Sequence, residues 1–468
     1  MRRVLSVALV LASLHEVALA DDPIANPDNT ADVVTTEQAD NVRWWSDDVR
    51  PLKKSYAIPF VESVGFIAAL NASAQLAGMD WAEISLSTMH DNLTGSWVWD
   101  EDPFTIDQVG HPYTGAWPFL AARSTGHGFW TSAVYSIGSS LVWELLMENE
   151  PPSINDQITT PIAGSLIGES LHRMGRALRV GNPGPIRTAA ATLIDPVGSL
   201  NREVWGKAWR DKLPPSFYAH VGIGWEQQTR LYEGARVEND QNAFHSELVL
   251  QHGLPGDPDF APRRPLDHFD LRGSLDVSSE HVIAQVDIRG LVWGRKFDTD
   301  GARGLWGLYG TYDYMNPDRV RASAIGVGPG AVVELPIGEQ DFFRATGVAM
   351  LVPWGAAGGS NEAEGEMRDY HRGPGAAQIV ELELGRRNLG GLRLTSRAWE
   401  IDGRYVGDGE EFVTTHTLGG RLALARNHAV GVEGTYALRA ATFTPDTMDR
   451  FDRAIDFRIF YALTTGRN

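Results

Sequence analysis

Histidine and carboxylate side chains are concentrated in one stretch of this 468-residue chain, from Asp100 to Arg173. A histidine beside a carboxylate can transfer a proton in catalysis, because the ordinary pKa of imidazole lies near neutrality. The residues that we predict for proton transfer are His111, His127, Glu144, Asp156 and His172. Those predicted to bind a substrate around them are Tyr113, Arg123, Trp130, Asn155, Glu169 and Arg173. If these side chains converge, they form a hydrolytic site with Ser132 or a water molecule as the nucleophile.

The sharpest local motif in this stretch is His111-Pro112-Tyr113-Thr114-Gly115. His111 would be a general base or a metal ligand if the motif lies in a cleft. The motif would equally be a fixed turn with a structural role, because a following proline disfavours helical dihedral angles and restricts His111 to an extended conformation. The sequence leaves both interpretations open.

Glu144 and Glu169 each allow a catalytic and a structural interpretation. Glu144 continues the apolar stripe of a predicted helix, so burial would raise its pKa unless Arg123 or Arg173 forms an ion pair with it. Glu169 and His172 share a helix face with the spacing of a di-iron bundle, but the sequence lacks the second such motif that a bundle needs. Glu169 also precedes Arg173 by one helical turn, the favourable order for an ion pair. We therefore predict no metal site, and the sequence indicates no particular cofactor.

Composition excludes several classes of function. The chain contains no cysteine, so it has no thiolate zinc site, cysteine nucleophile or disulfide. G-x-S-x-G, H-E-x-x-H and P-loop motifs are absent. The formal net charge of −19 would repel nucleic-acid phosphates, so no nucleic-acid partner is expected.

Three helices are predicted to position the candidate residues. They run from about Phe60 to Leu76, from Gly128 to Met147 and from Pro161 to Arg179, and the segment between the first two is predicted to be a loop as far as about Pro118. On the second helix, apolar side chains recur at spacings of three and four and form a stripe that ends at Glu144: Trp130, Val134, Ile137 and Leu141. Serines beside this stripe would allow close approach of a neighbouring helix.

After Phe217 the apolar period changes from about 3.6 to 2, which predicts about 12 strands with one apolar and one polar face. A soluble sandwich or barrel would turn the apolar faces inward, whereas a transmembrane barrel turns them toward lipid around a polar lumen. Charges on the polar faces, and segments near the ~10 residues of a tilted crossing, favour the transmembrane barrel. The aromatic residues predicted to form its interfacial girdles are Trp293, Trp306, Tyr312, Tyr314, Trp354, Trp399, Phe457 and Tyr461.

The chain is predicted to have four parts: a cleaved signal peptide (1–20), a flexible leader (21–50), a helical plug or cap (51–212) and a barrel (215–468). Arg2 and Arg3, an apolar run and the small residues Ala18 and Ala20 predict the signal. The fold class is mostly β with an α-helical N-terminal region, built as an antiparallel transmembrane barrel. We expect a place in the outer membrane, contact with outer-membrane lipid and insertion by the barrel-assembly machinery, and we leave the oligomeric state open.

The helical region carries a run of motifs: Trp99-Asp-Glu-Asp102-Pro-Phe104, Gln108, His111-Pro-Tyr113-x-Gly115, Ala122-Arg123-Ser124-x-Gly126, Phe129-Trp130-x-Ser132, Gly138-Ser139, Trp143-Glu144, Glu150-x-Pro152-Ser153-x-Asn155-Asp156, Gly168-Glu169 and His172-Arg173. In these motifs, over roughly residues 60 to 210, the chain resembles the bacterial family called domain of unknown function 3943. The resemblance implies an outer-membrane barrel with a helical N-terminal region and an uncharacterised activity. Asp107 departs from the family pattern, which implies an asparagine before Gln108.

These patterns allow three functions. The first is a structural or transport-related barrel in which charged helical residues pair with lumen groups. The helical residues expected to do so are Glu62, His111, Arg123, Glu144, Asp156, Glu169, His172 and Arg173, and the lumen groups are Arg289, Glu381, Glu433 and Arg439. The alternative is a hydrolase that modifies envelope lipid or lipopolysaccharide, with His111 or His127 as general base and Glu144 or Asp156 as its orienting group. The third is a soluble secreted lipid-binding barrel.

Overall fold

The computed structural model describes residues 54–100, 102–179, 183–207, 217–231, 241–257, 260–279, 282–317, 319–358, 370–405, 409–443 and 449–466. Within these ranges seven α-helices precede twelve β-strands. The helices are α1 (Ala57–Leu76), α2 (Leu86–Thr94), α3 (His111–Ser124), α4 (Phe129–Leu146), α5 (Asp156–Leu178), α6 (Pro185–Ile194) and α7 (Pro196–Trp205). The predicted signal peptide and leader lie outside the described residues.

The strands form one closed antiparallel barrel. They are β1 (Phe217–Leu231), β2 (Gln241–His252), β3 (Phe269–Val277), β4 (Val282–Asp298), β5 (Arg303–Met315), β6 (Arg321–Pro336), β7 (Asp341–Gly358), β8 (Tyr370–Arg386), β9 (Gly390–Asp402), β10 (Gly409–Ala425), β11 (His428–Phe443) and β12 (Arg450–Gly466). Neighbouring strands pair in sequence order, and β12 closes on β1, where Leu231 lies opposite Arg453. The barrel and the helical region before it confirm the predicted fold class.

Ion pairs identify the strand face that points into the lumen. Arg272 on β3 lies 2.9 Å from Glu381 on β8, and Arg397 on β9 contacts Asp287 on β4. Strands five positions apart in a ring of twelve can meet only across the lumen, so the charged faces point inward. The opposite faces carry exposed apolar side chains, among them Val380, Leu382, Leu384, Val430, Val432, Ile455 and Ile459. An apolar outside around a polar inside is the pattern of a transmembrane barrel.

Charged side chains in the lumen form ion pairs with other side chains of the barrel. The four lumen groups expected to pair with helical residues have barrel partners instead: Arg289 pairs with Asp270, Glu381 with Arg272, Glu433 with Arg458, and Arg439 with Glu411. The expectation of helix-to-lumen pairs was therefore wrong for these groups. Because the strands neutralise their own charges, the lumen does not require polar helices inside it.

The helical domain, residues 54–207, packs against the outside of the barrel. Asp313 on β5 faces the lumen, where it lies 3.4 Å from Arg397. Side chains alternate along a strand, so Tyr312 and Tyr314 point outward, yet they are only 1% and 2% exposed. Phe104 covers Tyr314 at 5.7 Å between ring centroids. The helices therefore lie on the outer wall, a position that differs from the predicted plug or cap.

The contact lies partway up the wall rather than at a rim. Leu166 of α5 lies against Gly310, near the middle of β5. Leu166 also belongs to one buried apolar cluster with Ile288, which is near the middle of β4. The helical domain therefore covers outward side chains at mid-height on strands such as β4 and β5. On strands such as β8, β11 and β12 the outward apolar side chains are exposed.

This position corrects the predicted aromatic girdle. Tyr312, Tyr314 and Trp354 are buried beneath the helical domain, and Trp354 stacks on Trp99 at 5.1 Å. Trp399 is buried on the lumen face, where its Nε1 donates to Asp313. The four girdle residues that remain exposed are Trp293, Trp306, Phe457 and Tyr461. Sequence position near a strand end does not distinguish lipid from a covering protein domain.

The helical domain turns its polar side chains inward and many of its apolar ones outward. On α4 the predicted apolar stripe is exposed at Trp130, Val134, Ile137 and Leu141, whereas Ser132, Ser136, Ser140 and Glu144 are buried. On α1, Phe60 and Val61 are more than 60% exposed. Among the described residues, α1 is the one helix long and apolar enough to cross a membrane by length and composition, with 22% of that stretch buried. This polarity is that of a domain whose surroundings are apolar.

Close packing of α3 and α5 forms the centre of the domain. A Cβ atom at Gly115 would lie 1.9 Å from the Thr160 carbonyl oxygen, and one at Gly164 would lie 2.8 Å from the Gly115 Cα. The two backbones approach at a distance that only glycine permits. The loop predicted up to Pro118 was wrong, because it contains α2, a π-helical turn (Ile106–Gly110) and the start of α3.

Candidate functional site

His111 is the first residue of α3 and lies at the centre of a group of acids. The π-helical turn runs directly into α3, so His111 takes helical angles, φ −59° and ψ −48°, and not the extended conformation predicted from Pro112. Its Nε2 lies 3.0 Å from Asp102 Oδ2 and 3.5 Å from Asp156 Oδ2. Asp156 begins α5, so the site joins the start of two helices that pack on each other.

Further carboxylates surround this trio. Asp100 accepts a hydrogen bond from Asn155 Nδ2 at 2.8 Å. Glu144 accepts one from the Ser153 backbone N–H at 2.7 Å. Asp107 Oδ2 accepts from Gln108 at 2.9 Å and lies 3.5 Å from Arg372 of the barrel. We call the set Asp100, Asp102, Asp107, His111, Glu144, Glu148 and Asp156 the His111 cluster.

Burial sets the protonation of the cluster. Burial alone would lower the pKa of His111, but Asp156 and Asp102 outweigh it and hold the pKa well above its ordinary value. Burial raises the pKa of Asp156 well above its ordinary value, although His111 opposes the shift. Burial also raises the pKa of Glu144 to about 7. His111 and Asp156 are therefore coupled: the charge of each favours the charged form of the other, and burial opposes both.

Asp102 and His111 form the accessible edge of the cluster. Their side chains are 35% and 16% exposed, whereas that of Asp156 is 4% exposed. Ile106 and Tyr113 are each nearly half exposed, at 49% and 47%, and flank His111 in sequence. Of Asp102, His111 and Asp156, the first two are therefore the residues that a molecule from outside can contact.

A second buried group consists of Arg123, Glu169 and Arg173. Glu169 accepts hydrogen bonds from Arg123 Nε at 2.6 Å and from Arg173 Nε at 2.8 Å. Burial would raise the pKa of Glu169, but the two arginines hold it well below its ordinary value. Arg173 also reaches Asp267 beside β3, at 3.2 Å. The sequence allowed an ion pair between Glu144 and either Arg123 or Arg173. Both arginines pair with Glu169 instead.

Of the other predicted residues, Asn155 contacts the His111 cluster by donating to Asp100 and Asp156, whereas His127, His172 and Trp130 lie outside it. His127 lies 2.9 Å from the Ser55 carbonyl oxygen, and burial lowers its pKa. His172 lies 3.6 Å from Asp195, and burial lowers its pKa as well. Trp130 is exposed on α4. Of the five residues predicted for proton transfer, the structure brings three together: His111, Glu144 and Asp156.

Several members of the cluster were not predicted as site residues. Asp100 and Asp102 lie at the start of the candidate stretch and could have been found there as acids just before Pro103 and Phe104. Glu148 lies one helical turn after Glu144, a spacing that the sequence displays. Arg372 gave no signal, because it is far from the helical region in sequence and reaches it only through the fold.

Glu148 provides a test of how the cluster stores its charge. Burial and the neighbouring Glu144 raise the pKa of Glu148 from 4.5 to about 10. Because the folded state holds this proton more tightly than the unfolded state, the contribution of Glu148 to stability is favourable below pH 4.5 and is lost as pH rises toward 10. We expect Glu148→Gln to be more stable than wild type by ~1–2 kcal/mol at pH 8, after allowing for partial exposure, and equal to it at pH 4.5.

The measurement is urea unfolding in detergent at both pH values, followed by helical circular dichroism. The exposed Glu83→Gln serves as the control and should change stability equally at the two pH values. A Glu148→Gln protein that is less stable than wild type at pH 8 would contradict the assigned charge state.

The fold and site define a transmembrane barrel with a helical domain on its outer wall. Residues 96–197 match the family model described as Domain of unknown function (DUF3943), so the chain contains this domain and the resemblance is confirmed. No curated protein matches the chain.

Similar solved structures include the NanC porin, with 7% identity, 50% of this chain and 98% of that chain covered and a TM-score of 0.25. An outer membrane channel from Pseudomonas putida F1 has 11% identity, 54% and 97% coverage and a TM-score of 0.27. OmpT of Vibrio cholerae has 11% identity, 53% and 96% coverage and a TM-score of 0.22. Similarity at this level carries no information on activity.

Proposed function

We propose that this protein is an outer-membrane enzyme whose helical domain hydrolyses envelope lipid at the His111 cluster. The observation that carries the proposal is the location of the cluster: it lies on a domain packed outside the barrel, and Arg372 near the start of β8 holds it close to one end of the wall. A polar site in this place meets the head groups and ester bonds of lipids, and it is separated from the solutes of the lumen by the wall. The predicted place in the outer membrane belongs to the same proposal.

The ends of the barrel indicate which leaflet the site faces. Apart from residues 253–268, the connections at one end are short, such as 387–389 and 426–427, whereas those at the other end are longer, such as 359–369. Outer-membrane barrels place short turns in the periplasm and longer loops outside the cell. The His111 cluster is held by Arg372 near the start of β8, at the end with longer connections. The substrate class that fits best is therefore lipid of the outer leaflet, which is lipopolysaccharide in many such membranes.

The protonation of the cluster suggests a division of roles. His111, as an imidazolium, would donate its proton to the leaving alkoxide while the ester bond breaks. Asp102, the most accessible carboxylate, would accept a proton from the water that attacks the ester. Ser132 does not suit the role of nucleophile, since it is fully buried and donates to the Gly128 carbonyl at 2.9 Å. His111 is thus proposed as a general acid, in contrast to the general base suggested by its motif.

The structural or transport-related function remains the alternative. The pairs Arg272–Glu381 and Arg397–Asp287 cross the lumen and stand in the way of an open channel. A transport function would require these pairs to separate. No comparable rearrangement is needed for chemistry on the outer wall.

The experiment expresses the full chain in a Gram-negative host and compares outer-membrane lipids from cells that make wild type, His111→Ala or His90→Ala. His90 lies exposed on α2 and is the matched control. We expect a lipid species that forms with wild type and His90→Ala and falls ~100-fold or more with His111→Ala, the usual size of an acid–base contribution. All three proteins should show heat-modifiable gel mobility. Identical lipid profiles for the three, or a chain absent from the outer-membrane fraction, would overturn the proposal.

A further inference from the structure

We propose that the His111 cluster binds a divalent cation between Asp102, His111 and Asp156. Their ligand atoms all lie within 4.8 Å of one another, and His111 Nε2 is 3.0 Å and 3.5 Å from the two carboxylates. Ligand atoms held about 2.0–2.2 Å from one ion are themselves about 3–3.5 Å apart in octahedral or tetrahedral geometry. The three side chains thus already have the spacing of ligands around a common centre. The inference concerns the same site as the proposed function but requires no particular substrate; because an ion on His111 Nε2 takes the place of the proton there, the ion and not the imidazolium would then stabilise the leaving alkoxide.

The charge of the cluster also points to a cation. Six carboxyl groups surround His111, and Arg372 contacts one of them, Asp107, at 3.5 Å. Burial raises the pKa of Asp107, even though Arg372 and His111 oppose the shift. A bound divalent ion would balance the negative charge of these carboxylates.

A buried oxygen without a partner provides independent support. Asp107 is fully buried, and its Oδ1 has no hydrogen-bond partner among the residues that the structure describes. Gln108 Oε1, 1% exposed as a residue, is in the same condition. Asp107 lies on the π-helical turn that runs directly into His111. Buried polar atoms without hydrogen-bond partners destabilise a fold. A cation, or a water molecule bound to that cation, would provide a partner for these two oxygens.

A second cluster in the barrel shows what a neutralised version of this geometry looks like. Glu226, His245 and Asp276 also bring ligand atoms within 4.8 Å of one another. There Arg458 contacts Glu226 and lies 3.6 Å from Asp276. The Arg458 guanidinium supplies the positive charge beside these carboxylates, so this cluster is neutralised without a metal ion. The His111 cluster has ligand spacing without such an arginine between its ligands.

The donor set selects the class of cation. One imidazole with two carboxylates suits a first-row divalent ion such as Zn²⁺ or Mn²⁺, whereas Ca²⁺ takes six to eight oxygen ligands. The 35% exposure of Asp102 leaves a side of the site open to water. An open ligand position is the feature that distinguishes reactive from purely structural metal sites.

The test uses the full chain, purified in detergent and stripped of metal, with Zn²⁺ and Mn²⁺ as separate probes in equilibrium dialysis. We expect one ion of at least one of these metals per chain, with affinity that falls ~10-fold or more in Asp102→Asn and Asp156→Asn. Asp102→Asn lies at the accessible edge, so it should fold even if Asp156→Asn does not. The exposed Asp80→Asn is the control and should bind as wild type does.

Absence of stoichiometric binding by both metals would overturn the inference, and so would binding that Asp102→Asn leaves unchanged. Loss of binding in Asp276→Asn with retention in Asp102→Asn would place the ion in the barrel cluster and would also overturn it. Because the readout is metal content, binding without any lipid change would refute the proposed function alone, and a lipid change without binding would refute this inference alone.

Discussion

We expect Glu169→Gln to lower the free energy of unfolding of the helical domain by about 3–5 kcal/mol relative to wild type. Glu169 is fully buried and accepts hydrogen bonds from Arg123 at 2.6 Å and Arg173 at 2.8 Å. Removing its charge leaves two guanidinium groups in a region with little water, and one unpaired buried charge has a cost of this size. The measurement is urea unfolding in detergent followed by helical circular dichroism. The triad joins α3 to α5, so helix content should be lost early.

The control for this variant is Glu83→Gln, an exposed acid whose replacement should change the free energy of unfolding by less than ~0.5 kcal/mol. Heat-modifiable gel mobility should remain in both proteins, because the triad reaches the barrel at the segment before β3, where Arg173 contacts Asp267 and Pro265, and not at the strand pairs that close the barrel. A Glu169→Gln protein as stable as the control would show that the triad contributes nothing to the domain.

Arg372→Ala should weaken the attachment of the helical domain to the barrel by about 3 kcal/mol. Arg372 is fully buried on the outward face of β8, donates to the Asp102 carbonyl and lies 3.5 Å from Asp107. Its loss leaves the buried carboxylate of Asp107 without this arginine. Removing one partner of a buried ion pair is strongly destabilising, because the charge of the other partner stays buried. Trp99, which stacks on Trp354 of the barrel, reports the separation through its fluorescence during urea titration.

A double variant separates the ion pair from general loss of packing. Asp107→Asn removes the charge that Arg372 answers, and it places at this position the residue that the family pattern implies. We expect Arg372→Ala to cost ~1–2 kcal/mol less in the Asp107→Asn background than in wild type. Strictly additive effects of the two substitutions would refute the coupling between Asp107 and Arg372.

The barrel could be predicted from sequence because its pattern is local. Alternation of period 2 fixes which residues share a strand face, as with Val432 outward beside Glu433 inward. It does not reveal what covers an outward face. Tyr312 and Val432 both face outward, yet the first is buried under Phe104 and its neighbours and the second meets the surroundings of the barrel. The position of the helical domain depends on such long-range contacts, so the sequence predicted a plug or cap.

The candidate site was predictable in part for the same reason. His111, Glu144 and Asp156 stand out as titratable residues amid apolar sequence, and the fold brings them together. The serine face of α4 was identified, but the stripe beside it was expected to be buried as in a soluble protein. In this domain Ser136 and Glu144 point inward and Val134 points outward, because the interior carries the polar groups. A rule that buries apolar residues fails where the surroundings are themselves apolar.

The central claim is that the helical domain lies on the outer wall in contact with lipid. The chain has no cysteine, so single-cysteine variants can carry one fluorophore each. Val134→Cys reports the outer face of α4, Val432→Cys the exposed barrel wall and Asp80→Cys an exposed acidic position of the helical domain, which we expect to meet water. In lipid vesicles, quenching by a spin-labelled lipid is compared with quenching by iodide. We predict that the label at position 134 is quenched by the lipid probe as strongly as that at 432. Quenching of position 134 by iodide alone, as at position 80, would contradict the account.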